Sequence, residues 1–167
     1  MTARSAAAFD VVGTVARLGL AAVWLVSGGL KAADPTQTYV AVRAYDVLPI
    51  AAVDVVAAVL PWFELALGVS LLLGVATRLM AVLSIGLLLL FIAGVAQAWV
   101  RGLSIDCGCF GGGGQVAPGA TSYGLEIARD VGFLAFAVWL AVRPRSYLAI
   151  DGLLASWDNA RLAKEGS

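Results

Sequence analysis

Four long apolar stretches, separated by polar connections, dominate the pattern along the chain. They run from about Val11 to Ala33, Ile50 to Val75, Leu79 to Val100 and Tyr123 to Val142. None alternates apolar and polar residues with a period of two. Only helices and closed barrels satisfy their own backbone hydrogen bonds in lipid, so each stretch is predicted to be a helix. Roughly 20 helical residues cross a ~30 Å hydrocarbon layer. The first three stretches reach that length, and the third, Leu79 to Val100, contains no charged residue. The fourth reaches it only by including Arg129 and Asp130, because its uncharged run begins at Val131. Arg4 ahead of an apolar run ending near KAAD has the outline of a secretory leader. Three further spans follow, so this stretch is expected to stay as a helix. The expected fold is an all-α bundle of four transmembrane helices, a membrane domain over residues 1–145 followed by a tail at 146–167.

The connections differ in kind. Gly74 to Arg78 is a tight turn that forces the second and third spans into an antiparallel hairpin. Between the first two spans, Tyr39, Val42, Tyr45 and Leu48 recur every three residues, which predicts a short amphipathic helix at the interface. The longest connection, 101–122, holds both cysteines and the run Gly111 to Gly114. Ser70 with Gly74, and Gly94 with Ala98, follow the small-xxx-small spacing of close helix contacts. Trp99, Trp139 and Trp157 fall near span ends or in the tail, as interfacial anchors do.

Composition agrees with a membrane protein: 61% of the residues are hydrophobic and 13% charged, with a mean hydropathy of +0.92. A soluble domain sits nearer ~45–50% and ~25%. Formal net charge is zero, which offers no footprint for nucleic acid. There is no histidine, which excludes Ser-His and Cys-His catalysis and the commonest metal ligand. With the N-terminus cytoplasmic, the inner flanks hold Arg4, Arg78, Arg143, Arg145, Arg161 and Lys164, and the outer flanks only Lys31, Arg43 and Arg101. The bias places both termini in the cytoplasm and the 101–122 loop outside it, in the plasma membrane. In the tail, Tyr147, Ile150, Leu154 and Trp157 form one stripe, expected to lie on the cytoplasmic lipid surface with Arg145, Arg161 and Lys164 over the headgroups.

Cys107 and Cys109, one glycine apart, are the only cysteines. On an extracytoplasmic loop a disulfide can form and persist. Closing so small a ring strains the bond and gains little chain entropy, so it suits electron exchange better than bracing. Two alternatives stay open: a soft-metal site for an ion such as Cu(I), and a loop whose thiols do nothing. Asp106 disfavours a thiolate on Cys107, which turns the expectation toward Cys109 as nucleophile, unless Arg101 folds back to compensate. A relay between two cysteine pairs is excluded, so electrons must be exchanged with another molecule.

Charges within the spans form a second group. Arg17 and Lys31 lie on the first span, Asp54 and Glu64 on the second, and Arg129 and Asp130 on the fourth. Such charges are costly and usually paired toward the bundle interior. Glu64 is the deepest, and Arg17 or Arg129 is its expected partner. Lys31, Asp54 and Arg17 are the charges that could instead snorkel to the interface. An ion pair that fixes helix register is the preferred reading over a proton or quinone site.

The segments RLGLAAVWLVSGGLKAADP at 17–35, YDVLP at 45–49, LPWFELALGVSLLLGVATR at 60–78, DCGCFGG at 106–112 and ARD at 128–130 carry a resemblance. Over residues 14–142 the chain resembles the DoxX-like membrane proteins, and more specifically the branch around the methylamine utilisation protein MauE. CGCFG is the most specific piece; the arginine-to-lysine pattern of the first span and the P-x-x-E of the second belong to the wider group. The resemblance implies a four-helix bundle that works with a thioredoxin-like partner on the outer side, in disulfide formation during maturation of methylamine dehydrogenase. It implies Cys107 and Cys109 as the redox pair, with Arg17, Lys31, Glu64 and Arg129 as motif positions. The function expected is thiol–disulfide exchange, with a membrane quinone or another membrane protein as the far electron carrier. The rival class is a non-catalytic assembly subunit of a larger membrane complex; a transporter is disfavoured by the lack of a polar pore pattern.

Overall fold

The computed structural model describes residues 3–117, 119–144, 146–147 and 149–151. Among them the chain forms α1 (Ala3–Ala33), α2 (Pro35–Ala44), α3 (Ile50–Leu73), α4 (Thr77–Val100), the strands β1 (Ile105–Asp106) and β2 (Gly114–Gln115), and α5 (Tyr123–Val142). Three helical segments are long and apolar enough to cross a membrane: Ala8–Ala33, Ile50–Leu73 and Thr77–Val100. α5 has the expected twenty residues. Glu126, Arg129 and Asp130 fall in its first eight.

Each long helix turns one stripe inward at helical spacing and leaves the rest apolar and exposed, as lipid allows. On α1 the buried stripe includes Ala16, Leu20, Trp24, Ser27 and Lys31. On α3 it is Val53, Ala57, Pro61, Glu64, Leu67 and Leu71. α1 packs chiefly on α3, and α4 chiefly on α5. The tightest approach is between α1 and α3. A Cβ on Gly28 would sit 2.8 Å from the Pro61 carbonyl oxygen, and one on Gly68 would sit 2.7 Å from Leu25 Cγ. Gly74 of the Ser70–Gly74 spacing is closely approached as well, but by Ala149, 2.6 Å from where its Cβ would be, and Gly94 faces the Tyr45 ring. Trp24 Nε1 donates to Ser84 Oγ at 2.9 Å and ties α1 to α4 through the core.

The helix ends explain the connections. Asp34 caps α2, accepting from Gln37 N at 2.9 Å, and Pro35 begins the helix with its φ already set. α3 stops at Gly74, whose left-handed φ of 68° returns its N–H to the last turn. α4 starts without a cap of its own. The Asp151 carboxylate supplies one, accepting from Ala76 N and Thr77 N at 2.8 Å each. At the start of the tail, Ala149 is buried and Asp151 docks on the α3–α4 turn. Arg145, Leu154, Trp157, Arg161 and Lys164 lie outside the described residues.

α2 covers only the Tyr39–Val42 half of the three-residue spacing, since it ends at Ala44 before Tyr45 and Leu48, and its inward face is Thr38 and Ala41. That face lies against the cysteine loop. The loop itself holds a minimal antiparallel hairpin, with Ile105 opposite Gln115 and Asp106 opposite Gly114.

Candidate functional site

The site is built where the loop 101–122 folds down onto the ends of α1, α2 and α5. Glycine makes that descent possible. Gly113 has φ +105°, and a Cβ there would sit 2.5 Å from Ala41 Cβ; at Gly108, φ +68°, the same clash would be 2.8 Å. The loop backbone therefore lies directly on α2, and neither position admits a larger residue without displacing it.

Below the loop, Lys31 Nζ sits 2.9 Å from Glu64 Oε1 and 2.6 Å from Ser27 Oγ. Lys31 is 8% exposed and Glu64 is 0% exposed. Ser27 Oγ donates to the Cys109 carbonyl oxygen at 2.7 Å, and Lys31 Nζ reaches the same oxygen at 3.4 Å. A buried ion pair thus holds the backbone of the second cysteine. Two expectations fail here. Glu64 pairs with Lys31, not with Arg17 or Arg129, and Lys31 does not snorkel. The α1–α3 packing brings residues 27–31 opposite residue 64, and burial of both charges rewards their contact.

Arg17 is elsewhere. It donates to the carbonyls of Leu71 and Leu72 at 2.8 Å each and to Tyr147 O at 3.0 Å. It thereby satisfies the last carbonyls of α3. Fourteen residues of helix, roughly 20 Å at ~1.5 Å per residue, separate it from Lys31. Asp54 is exposed, as expected.

From the other side comes α5. Arg129 is held by Asp130 at 3.0 Å, lies 4.8 Å over the Phe110 ring centre, and points Nη2 at Cys107 Sγ from 3.8 Å. Tyr45 donates its hydroxyl to the Cys107 carbonyl at 3.0 Å, and burial pushes its ionisation up, so it stays a donor. The structure therefore gathers Lys31, Glu64, Arg129 and Asp130 around Cys107 and Cys109 and leaves out Arg17.

Both cysteines are free thiols; Cys107 is half-buried and Cys109 buried. The Cys109 thiol and backbone hydrogen bonds, with the Arg129 guanidinium, outweigh burial and lower Cys107 to about 6. The same hydrogen bond, with burial, pushes the Cys109 thiol up. This reverses the expectation from Asp106. Its Oδ1 accepts from Gly108 N at 3.0 Å, and Arg129 supplies the compensating charge. Arg101 does not fold back; it pairs with Asp46 at 2.9 Å. Chemically, the pair is a poised thiolate with a protonated thiol beside it.

Sequence reasoning missed Ser27, Tyr45 and Glu126, whose carboxylate, with that of Asp106, lies within 4.8 Å of the Cys107 sulfur. Ser27 was detectable, standing four residues before Lys31 on one helix face. Tyr45 and Glu126 have no such local signal.

Fold and site define a helical membrane protein with a C-x-C pair held at one end of its helices. Residues 9–143 match the family model described as methylamine utilisation protein MauE, and the chain belongs to that family. It is 39% identical over 98 residues to the methylamine utilization protein MauE of Paracoccus denitrificans, an alignment covering 58% of this chain and 53% of that protein. The chain thus spans about half the length of the curated relative it matches. No solved structure matches it.

Proposed function

We propose that this chain is a thiol–disulfide exchange component of the plasma membrane, with α1, α3, α4 and α5 all crossing, both termini cytoplasmic and the cysteine loop outside. The carrying observation is the Arg129–Cys107 contact at 3.8 Å beside the buried Cys109 thiol. An attacking group of low pKa, half-exposed, next to a protonated resolving group is what exchange through a mixed disulfide needs. When the chain oxidises a partner, a partner thiolate attacks Cys107 Sγ of the Cys107–Cys109 disulfide. Cys109 leaves and takes up a proton. The partner's second thiol then attacks its own sulfur in the mixed disulfide, and Cys107 departs as a stabilised thiolate. The partner class that suits this is a thioredoxin-fold protein outside the cytoplasm. The family's description and the relative's name give methylamine utilisation as the context.

Trapping tests it. Cys109→Ser, acid-quenched in the native host, is expected to accumulate a disulfide-linked adduct of a thioredoxin-like protein through Cys107, and Cys107→Ser is not. Absence of adducts from both variants, at normal membrane levels, would favour the assembly subunit instead.

A further inference from the structure

The exchange reading leaves two electrons on the chain each time a partner is oxidised. The chain has two cysteines and no histidine, and so no second sulfur pair to pass those electrons to. Whatever takes them must meet Cys107 and Cys109 directly.

A cavity of about 610 Å³ lies against the pair, and both cysteines form part of its wall. Its size falls within the ~300–1,000 Å³ of small-molecule sites. Leu60 of α3 and Leu87, Phe91 and Gly94 of α4 make the opposite wall, so the space is apolar except where it meets the loop, α2 and Lys31. The rim is apolar too. Leu90 is 69% exposed and Val47 is 55% exposed, on the side of helices whose outer faces suit lipid. A lipid-soluble ligand would therefore reach this space, and the half-exposed Cys107 in its wall, from the membrane.

We infer that this cavity takes the ring of a lipid-soluble quinone, its tail leaving between α3 and α4, and that the quinone oxidises the Cys107–Cys109 dithiol. The inference rests on the exchange reading above. The balance closes without another reactant. The two thiols give up two protons and two electrons, an S–S bond forms between Cys107 and Cys109, and the two ring carbonyls become the hydroxyls of a hydroquinone. An apolar ring between Phe91 and the sulfurs fits a wall that offers shape and stacking rather than charge.

The test uses the full chain, reduced, in lipid nanodiscs, with decylubiquinone and menaquinone-4 as probes. Quinone absorbance and free thiols are followed in a single turnover, and reaction of the same samples with 4,4′-dithiodipyridine reports thiol reactivity separately. One quinol is expected for every two thiols lost. Leu90→Trp at the rim and Leu60→Trp in the wall are expected to slow quinone reduction about 10-fold or more, with dithiodipyridine reactivity unchanged. Thiols that react with dithiodipyridine but with neither quinone would overturn the inference and leave the exchange reading standing. So would quinone reduction at the parent rate in both tryptophan variants. Thiols inert to every reagent would overturn both readings.

Discussion

The hydrogen bonds of Cys109 and the charge of Arg129 together set the chemistry of Cys107. Because hydrogen bonding and a cation lower Cys107 to about 6, its thiolate is populated above that pH and lost below it. Iodoacetamide labelling of Cys107 is expected to rise with pH, inflect near that value and plateau by neutrality. Arg129→Gln removes a charge that favours the thiolate, so the inflection should move upward by roughly one unit. An unchanged inflection would assign the shift to Cys109 alone. Lys31 and Glu64 form the other decisive pair. Glu64→Gln leaves the ammonium buried without its counter-charge, and a loss of about 3 kcal/mol is expected in thermal or denaturant unfolding in detergent. Lys31→Met with Glu64→Leu should recover most of it, because two apolar groups leave no charge unpaired. Cys109 should nevertheless be more accessible to maleimide in that double variant, since its carbonyl loses the Lys31 contact.

At the scale of elements, α2 and the cysteine loop depend on each other. A helix does form between the first two spans, but it takes in only Tyr39 and Val42 of the expected stripe, and the face that matters is Thr38 and Ala41. The reason is that α2 packs on protein as well as facing lipid, and the glycine run of the loop is what it packs on. Gly113→Ala is expected to lift the loop, both by its left-handed φ and by collision with Ala41. Faster maleimide labelling of Cys109 would report it, and Ala41→Gly should restore only part of the protection, because the backbone strain remains. The β1–β2 hairpin was not foreseeable, since strands of two residues carry no periodic signal. α5 is the element whose length was read correctly from an ambiguous stretch. Its charged start is tolerated because Arg129 and Asp130 turn toward the loop and bond each other.

For the whole molecule, the proposed orientation follows from lysine and arginine placement and can be measured independently of function. In a background with Cys107→Ser and Cys109→Ser, Ala120→Cys is expected to label with an impermeant maleimide from outside intact cells. Val75→Cys should label only after permeabilisation. The opposite pattern would put the thiols in the cytoplasm and remove the compartment argument for a disulfide. The arrangement of the bundle also accounts for why Arg17 stands apart. Between Arg17 and Lys31, α1 presents a buried stripe to α3, and these two cations serve opposite ends of that contact: Arg17 the C-terminal carbonyls of α3, Lys31 the site.

The apolar spans, their helical state, the turn at Gly74 and the singular cysteine pair could be read from the chain by itself. These are local or additive properties: hydropathy and length add up along one helix, and a turn needs only its own few residues. Tertiary structure alone decided that Glu64 meets Lys31, that Cys107 rather than Cys109 is the thiolate, and that a cavity lies beside both. Those outcomes depend on how each helix is rotated about its axis and on the path of a glycine-rich loop. Residues 27, 31, 64, 109 and 129 become neighbours only through packing.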